Sequence, residues 1–430
     1  MTATETSRTI EAVFRIESSR LIAGLARRVG DVGLAEELAQ DALVAALEQW
    51  PVSGIPENPG AWLMATAKRR GIDQFRRNAT LARKQEELGR QLEVEQAPGD
   101  DLEEALDDEV GDDLLRLMFV ACHPVLSTEA RVALTLRLLG GLTTGEIARA
   151  YLVPEATVAQ RIVRAKRTLA EAGVPFEVPV GEELAGRLSS VLEVVYLIFN
   201  EGYSATAGAD WIRPDLCADA LRLGRILAEL APDEPEVHGL VALMEIQASR
   251  NRARVGPAGE PVLLLEQNRA RWDQILIRRG LAALERAERL GQPRGPYVIQ
   301  AAIASCHARA RTAEETDWRR IAELYAELAA LNPSPVVRLN LAVAVGMAFG
   351  PAEALRITDT LSGEPSLRGY HLLPSVRGDL LWKLGRKDEA RSEFLAAANL
   401  TQNARETALL LERAAECEKP VSPAGMRDAG

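Results

Sequence analysis

Apolar residues recur at helical spacing along almost the whole chain, broken by short proline- and glycine-rich stretches. Ile10, Val13, Phe14, Ile16 and Leu21 open a first helical segment. Asp31 starts a second, with Leu34, Leu38, Ala42 and Leu47 on one face and Glu36, Glu37, Gln40 and Asp41 largely on the other. Residues 51–60, PVSGIPENPG, combine three prolines with two glycines and read as a loop. A helix over 61–77 follows, anchored by Trp62, Leu63 and Ile72, with Lys68, Arg69, Arg70, Arg76 and Arg77 toward its end.

A second cluster of helices begins near 113 with LLRLMFVACHPVL, which ends near Pro124. Ser127 or Thr128 caps the next helix, which carries Val132, Leu134, Leu136 and Leu138 and is broken by Gly140-Gly141. Thr143, Thr144 and Glu146 then form a capping signal for a short helix with Ile147, Ala148 and Tyr151 inward. Leu152-Val153-Pro154 ends it, because a residue preceding proline is pushed out of the α region. Pro154 opens a further helix with Val158, Ile162, Val163 and Leu169 on its apolar side and Arg161, Arg164, Lys166 and Arg167 on its cationic one. Two helices joined by a tight break, the second bearing cations, form the unit that enters a DNA major groove.

From about 180 to 418 the chain reads as successive Ala/Leu-rich helices, interrupted at 251–261. Gly378, Leu381, Ala390, Phe394 and Ala397 occupy the small and large positions of a tetratricopeptide-like helix pair, with Leu384-Gly385-Arg386 as its turn. Leu341, Ala342, Val345 and Ala354 form a degenerate copy, and Tyr325, Leu328 and Pro333 another. Such pairs bury their faces by stacking on their neighbours, which creates a concave surface for a peptide or protein partner.

Composition agrees with an all-α fold: aromatic residues make up 4% of the chain, and no alternating β-branched run demands a sheet. Charge is unevenly spread. Residues 79–113 hold thirteen acidic and three basic residues, whereas 114–171 hold eight basic and four acidic, within a chain of net charge −11. An acidic linker thus separates a near-neutral module from a basic one. The start of the chain lacks a secretory pattern and no apolar run approaches membrane-spanning length, so a cytoplasmic protein without membrane contact is expected. Cys122, Cys217, Cys306 and Cys417 are far apart, and Cys122-His123 diverge on a helix, so no metal or cofactor is expected. Nothing in the spacing of Glu201, His238 or Asp273 supplies a nucleophile or phosphate loop, which argues against an enzyme.

The segments DVGLAEELAQDALVAALEQW, PGAWLMATAKRRGIDQFRR and LTTGEIARAYLVPEATVAQRIVRAKRTLAEAG, in this order, resemble the polymerase-docking helix, the −10 helix and the −35 domain of sigma factors of the extracytoplasmic-function (ECF) group. YLIFNEGYSAT (196–206) and LLLEQNRARWDQ (263–274) are similar to signatures in the long helical extension of one subgroup. The resemblance implies sigma region 2 over 8–78, the linker over 79–112, region 4 over 113–173, a tetratricopeptide-like extension over 180–418 and a disordered tail over 419–430. It implies core RNA polymerase and promoter DNA as partners.

The −35 candidates are Thr157, Gln160, Arg161 and Arg164, which project together at i, i+3, i+4 and i+7. Ala159 lies beside them, and Lys166 and Arg167 face backbone or solvent. The resemblance further assigns Asn58, Trp62, Lys68, Arg69 and Arg76 to the −10 strand, with base capture by the 51–60 loop, and Glu36, Glu37, Gln40 and Asp41 to polymerase. For Trp62, a core role competes with the DNA one. The alternative reading is a helix-turn-helix regulator with a helical sensor domain, which leaves 31–77 unexplained.

Overall fold

The computed structural model describes residues 3–86 and 106–418, apart from positions 152, 205–211, 258–259, 292 and 402; within helices, the side chains of 3–8, 11, 12, 15, 73–86, 106–111 and 182 are also outside the described set. The described elements are helices, with a single isolated bridge between Val255 and Pro261 in the 251–261 interruption. The chain divides into two compact units, residues 1–197 and 198–430.

The first unit opens with α1 (Ala3–Val29), α2 (Val32–Ser53) and α3 (Pro59–Glu86), packed on one another. Asp31 caps α2 by accepting from the Leu34 amide at 3.0 Å. The helix runs through Pro51, so the loop expected over 51–60 shrinks to 54–58; near a helix end, the missing proline N–H forfeits one bond only. α3 begins at Pro59 and continues past the expected end at 77 to Glu86. Ile72, expected as an anchor, is exposed, while Leu63 and Ala67 fill the core. α4 (Leu106–Ala121) resumes beyond the undescribed part of the acidic stretch.

α5 (Thr128–Leu138) is capped by Ser127. It stops at Gly140 and Gly141: a Cβ on Gly140 would meet the Leu136 carbonyl at 2.5 Å, and Gly141 holds φ 70°. α6 (Thr144–Tyr151) and α7 (Glu155–Glu171) follow on either side of the predicted break. α8 (Glu182–Tyr203) starts within this unit. Its Arg187 donates to the Phe119 carbonyl at 2.9 Å, and Ser190 donates to the Cys122 carbonyl at 2.6 Å.

The second unit contains α9 (Pro214–Leu230), α10 (Pro235–Ala248), α11 (Gln274–Arg289), α12 (Pro296–Arg309) and α13 (Trp318–Leu331). It continues with α14 (Pro335–Phe349), α15 (Pro351–Leu361), α16 (Leu372–Lys383), α17 (Lys387–Leu400) and α18 (Ala404–Glu416). α10 is buried on nearly every side, and from α12 onward each helix packs on its successor. Gly378 of α16 lies against the Phe394 ring of α17, with the turn at Gly385 in positive φ, matching the predicted small–large pairing. No helix among the described residues is long and apolar enough to cross a membrane.

Candidate nucleic-acid interface

The start of α6 is fixed by reciprocal capping. The Thr143 amide and hydroxyl donate to the Glu146 carboxylate at 2.8 and 2.9 Å, and the Glu146 amide donates back to the Thr143 hydroxyl at 3.2 Å. Pro154 begins α7. Val158, Ile162, Ala165 and Leu169 turn inward and seat α7 on α5 and α6. Val163, placed on the apolar side by sequence, is exposed, and Ala165 takes its place in the seam. That stripe follows the helical period of i, i+4, i+7, i+11, which Val163 breaks.

The opposite side presents the −35 candidates. Gln160 and Arg164 are exposed, and Thr157, Ala159 and Arg161 are half-exposed. Arg167 is exposed and pairs with Glu171 one turn on at 2.6 Å. Lys166 departs from the expectation of a backbone- or solvent-facing cation: its ammonium forms an ion pair with Glu36 of α2.

Glu36 accordingly leaves the polar face that sequence gave it. It is 4% exposed and also accepts from Arg137 Nε of α5 at 2.6 Å. α2 is packed by α1 and α3 on one side and by α7 on another, so its polar face is divided. Glu37 and Asp41 remain exposed and Gln40 half-exposed, with Asp41 3.6 Å from Arg70. Periodicity along α2 assigned Glu36 a face; it carried no sign of Arg137, 101 positions away.

The −10 candidates are spread along the 54–58 loop and α3. Asn58 is exposed and accepts from the Ala61 amide at 3.0 Å, capping α3. Trp62 is half-buried, edge-on to the buried Trp50 with ring centroids 5.2 Å apart, which is the core contact that competed with its DNA reading. Arg69 is exposed. Lys68 is half-buried; desolvation first, then Arg28 and Arg27, lowers its pKa. Arg28 at the end of α1 thus lies near Lys68, a proximity missed from sequence because the two are far apart along the chain, while the neighbouring Arg27 is ion-paired with the buried Asp113 at 3.3 Å. Arg76 lies in α3, but its side chain is outside the described residues.

The residues weighed for catalysis each make local contacts. Glu201 is ion-paired with Arg213, Arg286 donates to both His238 Nε2 and the Pro232 carbonyl, and Asp273 caps α11 by accepting from the Ile275 and Leu276 amides.

Three family descriptions match this chain: Sigma-70 region 2 over residues 15–80, Sigma-70 region 4 over 116–169, and a family of unknown function, DUF6596, over 187–288. An uncharacterized protein of Rhizobium meliloti (strain 1021) is 46% identical over 392 residues, 90% of each chain. A region 2 match on α1–α3, a region 4 match on the capped α6–α7 pair, and similarity running through almost the entire chain place this protein in the sigma-70 family of sigma factors, which act in transcription initiation.

Proposed function

We propose that the chain is a sigma factor of the ECF group that docks on core RNA polymerase and grips two promoter elements. The observation that carries this reading is the outward face of α7, where Gln160 and Arg164 are exposed beside Thr157, Ala159 and Arg161 on a capped helix-turn-helix. A guanidinium there reaches guanine edges or phosphates, and the amide of Gln160 reads adenine. On α3 and its preceding loop, Asn58, Trp62, Lys68, Arg69 and Arg76 contact the −10 strand, with Arg28 adding charge beside Lys68. Glu37, Gln40 and Asp41 meet polymerase. Glu36 and Lys166 join these surfaces once their mutual pair opens.

The helices from α9 to α18 serve as a tetratricopeptide-like regulatory extension that engages a peptide or protein; the Gly378–Phe394 packing supports the repeat reading. Run-off transcription with core polymerase and a promoter library tests the initiation role. Stimulation over core alone is expected, and its absence across the library would defeat the proposal. Comparing the full chain with a truncation after Tyr203, which keeps the Arg187 and Ser190 contacts, gives the sign of the extension's effect.

A further inference from the structure

The second unit holds a partly open pocket of about 180 Å³ between α10, α12 and the 262–272 segment. Leu243, Ile246, Leu264 and Ile303 give it apolar walls. Arg250, Trp272 and His307 supply its polar side. Three donors or acceptors around it lack hydrogen-bond partners although buried: Arg250 Nε, Trp272 Nε1 and His307 Nδ1. Trp272 is 4% exposed.

Positive charge gathers here without a matching carboxylate. Arg250 donates to the Tyr203 hydroxyl and lies 5.7 Å from the centroids of both Tyr203 and Trp272. Arg269 sits 4.9 Å over Trp272 and donates to the carbonyls of His307 and Ala310. Among the described residues neither Arg250 nor Arg269 forms an ion pair; Glu314 and Glu315 act on Arg269 only from outside hydrogen-bond reach. The lining itself carries no acidic side chain. A half-buried guanidinium held by aromatic faces and a hydroxyl, with an indole N–H unspent beside it, is an incomplete electrostatic arrangement that an anion would complete.

We propose that this cavity binds a small carboxylic acid as its anion, the carboxylate on Arg250 and the Trp272 N–H, the short apolar body against Leu243, Ile246 and Ile303. The volume suits the body of a compact acid. The apolar walls favour a carboxylate with a hydrocarbon body over a fully hydrated phosphate. Ligand binding would thereby enter the helical extension independently of the promoter-reading unit.

Calorimetric titration of the full chain with isovalerate and benzoate tests this, with inorganic phosphate and the uncharged amides of the two acids as comparators. Saturable binding of at least one acid below millimolar concentration, at least tenfold weaker for phosphate and undetectable for the amide, is expected. Arg250→Gln should weaken it at least tenfold. Because Arg250 also holds Tyr203, Ala304→Phe provides a second variant: it fills the cavity, keeps every charge and should abolish binding while the thermal midpoint is retained. Failure of both acids to bind, preference for phosphate, equal binding of the amides, or binding that survives Ala304→Phe would each overturn the proposal, leaving a hydrated cavity.

Discussion

Arg137 of α5 donates to Glu36 of α2 at 2.6 Å, and Lys166 of α7 closes on the same carboxylate. One buried acidic group therefore ties the region 2 helices to the helix-turn-helix. The tie consumes one cation and one anion of the proposed promoter and polymerase surfaces. Glu36→Gln is expected to cost roughly 3 kcal/mol of stability, because the partners are left as uncompensated, largely desolvated cations. It should also release Lys166: affinity for promoter duplex rises and the salt dependence of binding steepens by about one unit, which titration at several salt concentrations measures. Unchanged DNA binding would show that the pair is purely structural.

Arg164 and Arg167 stand on the same helix, yet only Arg164 is free of a neighbouring carboxylate among the described residues. Arg164→Ala should lower −35-dependent initiation by about 1–3 kcal/mol in transition from wild-type to mutant promoter preference. Arg167→Ala, which removes only a solvent-exposed pair with Glu171, should leave the preference intact. Abortive transcription on matched and mismatched −35 sequences separates the two.

The capping box between Thr143 and Glu146 sets where α6 starts and hence how α7 is presented. Thr143→Ala should cost about 1 kcal/mol of stability. Urea unfolding with an unchanged m-value is the check.

In the second unit a Cβ on Gly378 would lie 2.8 Å from the Phe394 ring, which is fully buried. Gly378→Ala should therefore destabilise the α16–α17 pair by about 1–3 kcal/mol despite its higher helix propensity, since the ring must shift from its packed position to admit the methyl group. A thermal midpoint at or above that of the parent chain would contradict this packing argument.

His307 is held neutral: desolvation first, then Arg250 and Arg269, lowers its pKa from 6.5 to about 3. The unfolded chain binds this proton near 6.5 and the folded chain does not, so the contribution is complete above that pH and is lost as pH falls toward 3. At pH 5.5 the loss should be about 1.4 kcal/mol. His307→Gln should flatten the stability profile between pH 7 and 5.5 by that amount, as read from denaturation midpoints.

Much of this architecture is legible from side-chain periodicity. The start of α6 follows from Thr143 and Glu146, the α6–α7 break from Pro154, and the inward stripe of α7 from Val158, Ile162 and Leu169, because capping and amphipathicity act within a few residues. The α16–α17 pair is legible for the same reason, since Gly378 and Phe394 occupy matching positions of a local hairpin. The burial of Glu36, the diversion of Lys166 and the approach of Arg28 to Lys68 are not legible, because each depends on partners that are distant along the chain.

The sequence by itself determined that this protein is helical, where its helix-turn-helix lies and which family its three segments resemble. These depend on local backbone preference and on motif order. Only the tertiary structure decided which charges remain available on the surface and which are spent inside, and it alone brought Arg250, Trp272 and His307 around one cavity. Coulombic pairing and desolvation depend on distance through space, which the order of residues along a chain leaves open until the helices pack.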